Sequence, residues 1–128
     1  MTVAIRERVL RVALIASALM LGNSLASAGE SWGAISIDFP GEGQSMATAY
    51  YGLGGGDTQE EAIANGQKFC AENGKHCQSV VSYKACGAYA SDESPGGYGA
   101  DDTKKAAEER ALKGCAQGDC KILVSDCN

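Results

Sequence analysis

All six cysteines of this 128-residue chain lie between positions 70 and 127. An even number of cysteines in a small exported chain is typical of a disulfide framework. Without the N-terminal signal segment described below, the domain has about 100 residues. A domain of that size buries only roughly 60 to 70% of its unfolded surface, so covalent cross-links would add stability that a small core lacks. We therefore predict three disulfides. This size disfavours a two-domain enzyme, a doubly wound nucleotide-binding fold and a multi-pass membrane protein.

The first 28 residues have the pattern of a secretory signal peptide. Three arginines within residues 1–11 precede an uncharged run at 12–21, VALIASALML, and the small residues ASA end at Ala28. A run of ten residues is too short to cross a bilayer of ~30 Å as a helix. We therefore expect cleavage after Ala28, a secreted or periplasmic location without a stable membrane anchor, and one domain over residues 29–128.

Loss of this segment makes the mature chain more acidic. It leaves eight Lys and Arg against fifteen Asp and Glu, a net charge of −7, compared with −5 for the whole chain. An acidic domain repels phosphate backbones and anionic lipid surfaces, so we expect no nucleic-acid partner. A basic protein partner is compatible with this charge, which also serves solubility.

The mature chain resembles itself at an offset of 45 residues. The matches at this offset are Asp57-Thr58 with Asp102-Thr103, Ala62 with Ala107, and Cys70 with Cys115. With two residues deleted near Asn73, Cys77 aligns with Cys120 and Ser82 with Ser125, and Gly33-Ala34 aligns with Gly87-Ala88 at an offset of 54. The sequence therefore predicts an internal repeat, with copies at about 31–86 and 87–128.

Each copy is predicted to contain a strand, a Gly-rich loop, a helix, a cysteine-bounded turn and a second strand. Alternating apolar residues indicate strands, and a capping box formed by Thr58 and Glu61 starts the first helix. The predicted strands are 32–39, 78–84, 87–91 and 121–126, the helices are 58–72 and 103–114, and the loops are 40–56 and 92–101, with a possible extra strand at 46–51. We predict an α+β domain in which two tandem strand-helix-strand repeats share a mainly antiparallel sheet, with both helices on one face.

Duplication narrows the fifteen possible disulfide pairings, because equivalent cysteines in two copies are expected to do equivalent work. Cys70 with Cys77 would close the turn between helix and strand in the first copy, and Cys115 with Cys120 would close the same turn in the second. Cys86 then pairs with Cys127.

Four segments carry a family resemblance. They are WGAI at 32–35, CQSVVSYKACGA at 77–88, GGYG at 96–99 before an Ala-rich helix, and the terminal CN at 127–128. In their order and spacing these segments resemble the bacterial secreted family named domain of unknown function 4189, over essentially the whole mature chain. The resemblance implies a small exported α+β domain with no assigned catalysis.

Candidate catalytic and metal-ligating residues are few. The single histidine, His76, adjoins a cysteine expected to be oxidised, and Ser45 lies in a GQSMA segment that only partly matches a nucleophile elbow. The cysteine spacings differ from those of zinc knuckles, and the GLGGG run at 52–56 lacks the Lys of a phosphate-binding loop. The acidic residues Asp92, Glu93, Asp101 and Asp102 lack EF-hand spacing and leave weak calcium binding as a minor alternative. We expect no catalytic residue, cofactor or metal.

Aromatic residues on loops are typical of binding surfaces, and Tyr50, Tyr51, Tyr89 and Tyr98 lie in or beside the two predicted loops. They could equally pack over the sheet. Our leading interpretation is a non-enzymatic exported protein that acts through protein contacts. The alternatives are a periplasmic inhibitor or immunity protein for a basic enzyme or toxin, a small hydrolase that uses Ser45 or an acidic residue, and a structural envelope protein.

Overall fold

The computed structural model describes residues 31–41, 45–46, 49–92, 96–115 and 119–128. The predicted signal peptide, 1–28, lies outside the described residues. Six strands and two helices occur in this part of the chain, in the same order in each half: strand, strand, helix, strand. They are β1 (Trp32–Asp38), β2 (Tyr51–Gly56), α1 (Gln59–Ala71), β3 (Cys77–Tyr83), β4 (Cys86–Ser91), β5 (Gly97–Asp101), α2 (Lys104–Gly114) and β6 (Lys121–Cys127).

The strands form two antiparallel sheets of three strands each, with the orders β2-β1-β3 and β5-β4-β6. The α+β class predicted from the sequence is confirmed. The single shared sheet is wrong, because β1 and β4 each take both of their hydrogen-bonded neighbours from their own half of the chain. Every strand pairing therefore forms within one half. The halves meet mainly through side chains, with a backbone hydrogen bond from the N–H of Asn128 to the carbonyl oxygen of Ala85 at 2.9 Å.

Both helices begin at the threonines that the sequence indicated. The side chain of Thr58 accepts a hydrogen bond from the backbone N–H of Glu61, and that of Thr103 accepts one from Ala106. Such caps satisfy backbone donors that the first helical turn leaves without partners. The helix boundaries agree with the sequence prediction to within one residue.

The Gly-rich segments are not simply loops. The range 40–56 contains β2, which begins at Tyr51 and not at Met46, and the range 92–101 contains β5. A Cβ atom at Gly52 or Gly54 would overlap backbone atoms of α1, and one at Gly97 or Gly99 would overlap those of α2. Glycine at every second position of these strands is therefore what allows each helix to lie directly on its sheet.

The main hydrophobic core lies between the two sheets. Ile35 and Ile37 of β1 and Tyr83 of β3 meet Tyr89 of β4 and Val124 of β6 there. The neighbouring side chains on β1 and β4 point the other way, toward α1 and α2 respectively. The helices thus cover the outer faces of two different sheets. The expectation that both lie on one face is wrong, because a face common to both halves is used for the core.

Tyr83 joins the two halves. Its ring lies between Gly33 of β1 and Gly87 of β4, where a Cβ atom on either glycine would overlap it. Its hydroxyl donates a 2.5 Å hydrogen bond to Oδ2 of Asp126 on β6. Burial, followed by this bond to a carboxylate, raises the pKa of the Tyr83 hydroxyl well above its ordinary value.

Three disulfides are present, as expected from the even number of cysteines. They join Cys70 to Cys77, Cys86 to Cys127, and Cys115 to Cys120, with Cα–Cα distances of 5.9, 4.1 and 6.2 Å. The first and third each tie the end of a helix to the strand that follows it. The second joins the two ends of the paired strands β4 and β6.

Candidate functional site

The four tyrosines proposed as contact residues lie in different environments. Tyr50, Tyr51 and Tyr98 are exposed, by 52, 51 and 63%. Tyr89 is only 2% exposed, packs edge-to-face on Phe39 with ring centroids 6.4 Å apart, and accepts a hydrogen bond from the backbone N–H of Gly96. Its assignment to a binding surface is wrong, because an inward-facing position on β4 places it in the core.

A groove of about 720 Å³ runs beside Tyr98, and we call it the Tyr98 groove. It is lined by consecutive residues of the strands β3 and β5 and by the last turns of α2: Val80, Val81, Ser82, Tyr98, Gly99, Ala100, Arg110, Lys113 and Gly114. A smaller cavity of about 240 Å³ shares Val80 and Tyr98 with it and is also lined by Phe39 and Tyr89. A ligand would therefore meet an apolar floor and a basic rim.

Local structure explains how these side chains reach the groove. In the pairing of β1 with β3, Ile35 lies opposite Val81 and Ser36 opposite Ser79, so Val80 is the extra residue of a β-bulge. On the other side, a Cβ at Gly99 would meet the Cβ of Arg110. The lack of a side chain at Gly99 lets α2 approach β5 and brings Arg110 to the groove rim.

The rim is basic in a chain that is acidic as a whole. Nε of Arg110 donates a 2.5 Å hydrogen bond to Oδ2 of Asp101, and both residues are partly exposed. This contact, together with a hydrogen bond from the backbone N–H of Asp102, lowers the pKa of the Asp101 carboxyl. Lys113 is exposed and has no ion-pair partner among the residues that the structure describes.

The other chemical candidates are dispersed. His76 is exposed, and its backbone N–H donates to Asp38 Oδ1 at 2.8 Å. Ser45 is half-buried, and several neighbours in its GQSMA segment lie outside the described residues, as does Glu93. Asp101, one of the calcium candidates, faces Arg110. Within the described ranges, no group of three or more His, Cys, Asp or Glu residues is arranged to hold a metal ion.

Sequence reasoning identified Tyr98 but missed Val80, Arg110 and Lys113. The two basic residues are three positions apart on a predicted helix, which places them on one face, and that signal was available in the sequence. The bulge at Val80 was not, because it depends on the register with β1.

Among the described residues, no helix is both long enough and apolar enough to span a bilayer.

A family model described as "Domain of unknown function (DUF4189)" matches residues 32–127. Comparisons with curated proteins and with solved structures found no match. The matched range includes both sheets, both helices and all six cysteines. The resemblance seen in the sequence is thereby confirmed, and the chain belongs to the DUF4189 family.

Proposed function

We propose that this protein is an exported, non-enzymatic interaction module that binds a protein partner at the Tyr98 groove. The observation that carries the proposal is the groove itself, which an exposed tyrosine lines together with Val80 and Val81 between the edges of two sheets. Tyrosine and arginine are among the residue types enriched at the energetically important centres of interfaces, and here both line a groove with an apolar floor.

The three disulfides support the export part of this proposal. They fit an oxidising, non-cytoplasmic environment, because thiols in the cytosol are kept reduced. They also make the scaffold rigid, which reduces the entropy lost when a partner binds.

Co-purification from the native periplasm and culture medium tests the proposal. Tagged wild type, Tyr98→Ala and Tyr51→Ala would be cross-linked, purified and compared by quantitative mass spectrometry. We expect the partner to be depleted at least fivefold with Tyr98→Ala and retained with Tyr51→Ala. Tyr51 is the matched control because it is also an exposed tyrosine but lies outside the groove. Equal recovery with both variants would contradict the proposal.

The acidic balance of the mature chain favours a second candidate, an inhibitor or immunity protein for a basic enzyme or toxin. A basic partner would contact acidic surface outside the basic rim of the groove. It would therefore be recovered as well with Tyr98→Ala as with wild type, and its capture would be weakened by raised salt.

The matched halves support a further proposal, that the domain consists of two copies of one unit. Both halves have the same strand order, threonine caps at corresponding positions, and a bulge at corresponding residues, Val80 in β3 and Leu123 in β6. A bulge is specified by local register, so its recurrence at an aligned position is evidence of common construction.

A further inference from the structure

We infer that the occupant of the Tyr98 groove is an extended acidic peptide segment of the partner, which adds as a fourth strand to the outer edge of β5 and places carboxylates beside Arg110 and Lys113. The inference rests on the proposed function and supplies the chemistry of its ligand.

The edge of β5 is suited to accept a strand. Among the described strands, β5 pairs with β4 alone, in unbroken register from Asp101 to Gly97. An edge strand directs alternate backbone N–H and C=O groups to its open side. The other strand at the groove, β3, carries the bulge at Val80, which interrupts the regular spacing of such groups. The regular edge is therefore that of β5.

One wall of the groove is basic and the other is apolar, and a strand bound between them would contact both. Arg110 and Lys113 of α2 lie on one side, and Val80 with the smaller cavity against Phe39 lies on the other. Side chains along a strand alternate between its two faces. The matching peptide consequently alternates acidic residues, directed toward α2, with apolar residues, directed toward Val80.

Arg110 is positioned for this role. Asp101 engages its Nε, and among the described residues no further hydrogen bond is made by its guanidinium, which carries five N–H donors in all. The terminal N–H groups can therefore donate to a peptide carboxylate while Asp101 fixes the side chain. Asp101 already offsets part of the charge of Arg110, so the positive charge at the rim without an ion-pair partner among the described residues is that of Lys113. Acidic groups farther than about 8 Å away oppose the contact weakly, because they are largely screened at physiological ionic strength.

Fluorescence anisotropy with oxidised protein spanning residues 29–128 tests the inference. The probe is a labelled ten-residue peptide that alternates Glu and Val. One control peptide has Lys in place of Glu, and another has Pro in place of alternate Val residues, which removes backbone donors needed for strand pairing. We expect the Glu/Val peptide to bind at least tenfold more tightly than either control.

Variants of α2 locate the binding. We expect Lys113→Ala and Arg110→Ala each to weaken Glu/Val binding about tenfold, which corresponds to loss of a charge-assisted contact of about 1.4 kcal/mol. Lys105→Ala, an exposed lysine on the same helix outside the groove, should leave it unchanged. Gly114→Leu should abolish binding, because Gly114 lines the groove and a Cβ there would already lie 3.3 Å from Gly97 Cα, so the rest of the leucine side chain would occupy space beside β5.

Equal binding of the Glu and Lys peptides, undiminished binding of the Pro peptide, or equal effects of Lys105→Ala and Lys113→Ala would overturn the inference. Lys113→Ala keeps the test valid if Gly114→Leu fails to fold, as judged by circular dichroism. If the Glu/Val peptide fails to bind but Tyr98→Ala still depletes the partner, the peptide chemistry is wrong and the groove stands. If Tyr98→Ala retains the partner, the proposed function itself fails.

Discussion

The two halves of the domain close the same end of their sheets by different chemistry. In the alignment of the halves, Trp32 corresponds to Cys86 and Lys84 to Cys127. Nζ of Lys84 lies 5.3 Å from the ring centroid of Trp32, whereas Cys86 and Cys127 are covalently joined. An exposed cation–π contact contributes about 0.5 to 1 kcal/mol, whereas a disulfide enclosing a loop of this length contributes about 4 kcal/mol on the loop-entropy model. The register of the strands brings both pairs of residues together, but it does not determine whether the contact between them is covalent or non-covalent.

A second difference lies beneath the helices. Ser36 and Gly66 in the first half correspond to Ala90 and Ala111 in the second. Oγ of Ser36 is fully buried and has no hydrogen-bond partner among the described residues, whereas the second half places only methyl groups there. The helix therefore packs on its strand with a serine against a glycine in the first half and with two alanines in the second, and the serine is left with an unsatisfied polar atom.

The largest expected effect is loss of the Cys86–Cys127 bridge. We expect the double substitution Cys86→Ala, Cys127→Ala to lower the free energy of unfolding by about 4 kcal/mol, because it releases the longest disulfide loop in the unfolded chain. Lys84→Ala, the corresponding change in the first half, should cost about 0.5 to 1 kcal/mol. Urea titrations of the two variants measure both values. Equal losses would show that the two links are energetically equivalent and would break the comparison.

An intermediate effect is expected at the contact between Tyr83 and Asp126, which occupy corresponding positions in the two halves. The hydroxyl of Tyr83 donates a hydrogen bond to the carboxylate of Asp126. Tyr83→Phe should lower the free energy of unfolding by about 2 kcal/mol near neutral pH, because Asp126 keeps its charge and loses its donor. Asp126→Asn is the matched variant, because it keeps an acceptor for the hydroxyl while removing the charge.

The pH dependence of the same contact has a defined sign. Because the pKa of Tyr83 is raised in the folded state, its contribution is fully present below the unfolded value of ~10 and falls as pH rises above that value. We therefore expect wild type to lose stability between about pH 10 and 12 more steeply than Tyr83→Phe does. Parallel profiles of the two proteins in urea titrations would show that this hydroxyl is not the titrating group.

The smallest effect is expected from replacing Ser36 and Gly66, where α1 packs on β1, with the alanines that occupy the corresponding positions of the second half. Ser36→Ala should raise the free energy of unfolding by about 1 kcal/mol by removing an unsatisfied hydroxyl. Gly66→Ala gains up to about 1 kcal/mol from helix propensity, but its Cβ would lie 3.3 Å from both Ala34 O and Ser36 Oγ, and Ser36→Ala removes the second of these contacts. The double variant should therefore exceed the sum of the single changes in thermal and urea unfolding.

Gly54→Ala is the contrasting control for this pair. Its Cβ would overlap the backbone of α1, so we expect a loss of about 1 to 3 kcal/mol. Stabilisation by Gly54→Ala, or a double variant at 36 and 66 that is less stable than wild type, would show that the two halves are not packed by the same rule.

The fold was predictable from the sequence wherever the signal is local. Thr58 and Thr103 are recognisable as caps because a cap depends on residues three positions away, and both helices follow from them. The strands β2 and β5 were missed because their glycines have low strand propensity and leave no apolar alternation to detect. Their role becomes clear only when a helix is placed against them.

The candidate site divides in the same way. Tyr98 was found because an aromatic residue in a Gly-rich segment stands out, yet Tyr89 carried the same signal and is buried. The difference between them is the strand on which each lies: β4 is central in its sheet and faces the core at Tyr89, whereas β5 is an edge strand.

The sequence by itself determined the helices and most of the strands, because caps and apolar alternation depend on short spacings along the chain, and its even number of cysteines indicated three disulfides. Only the tertiary structure decided that the sheet is divided in two, that the helices cover opposite outer faces, and that β3, β5 and α2 enclose a groove. Those features depend on which apolar faces bury each other, and two halves with similar patterns can satisfy that requirement by pairing strands or by packing faces. The two sheets pack face to face because the large side chains of both halves lie on the faces away from the helices. Ile35, Tyr83 and Tyr89 are among them.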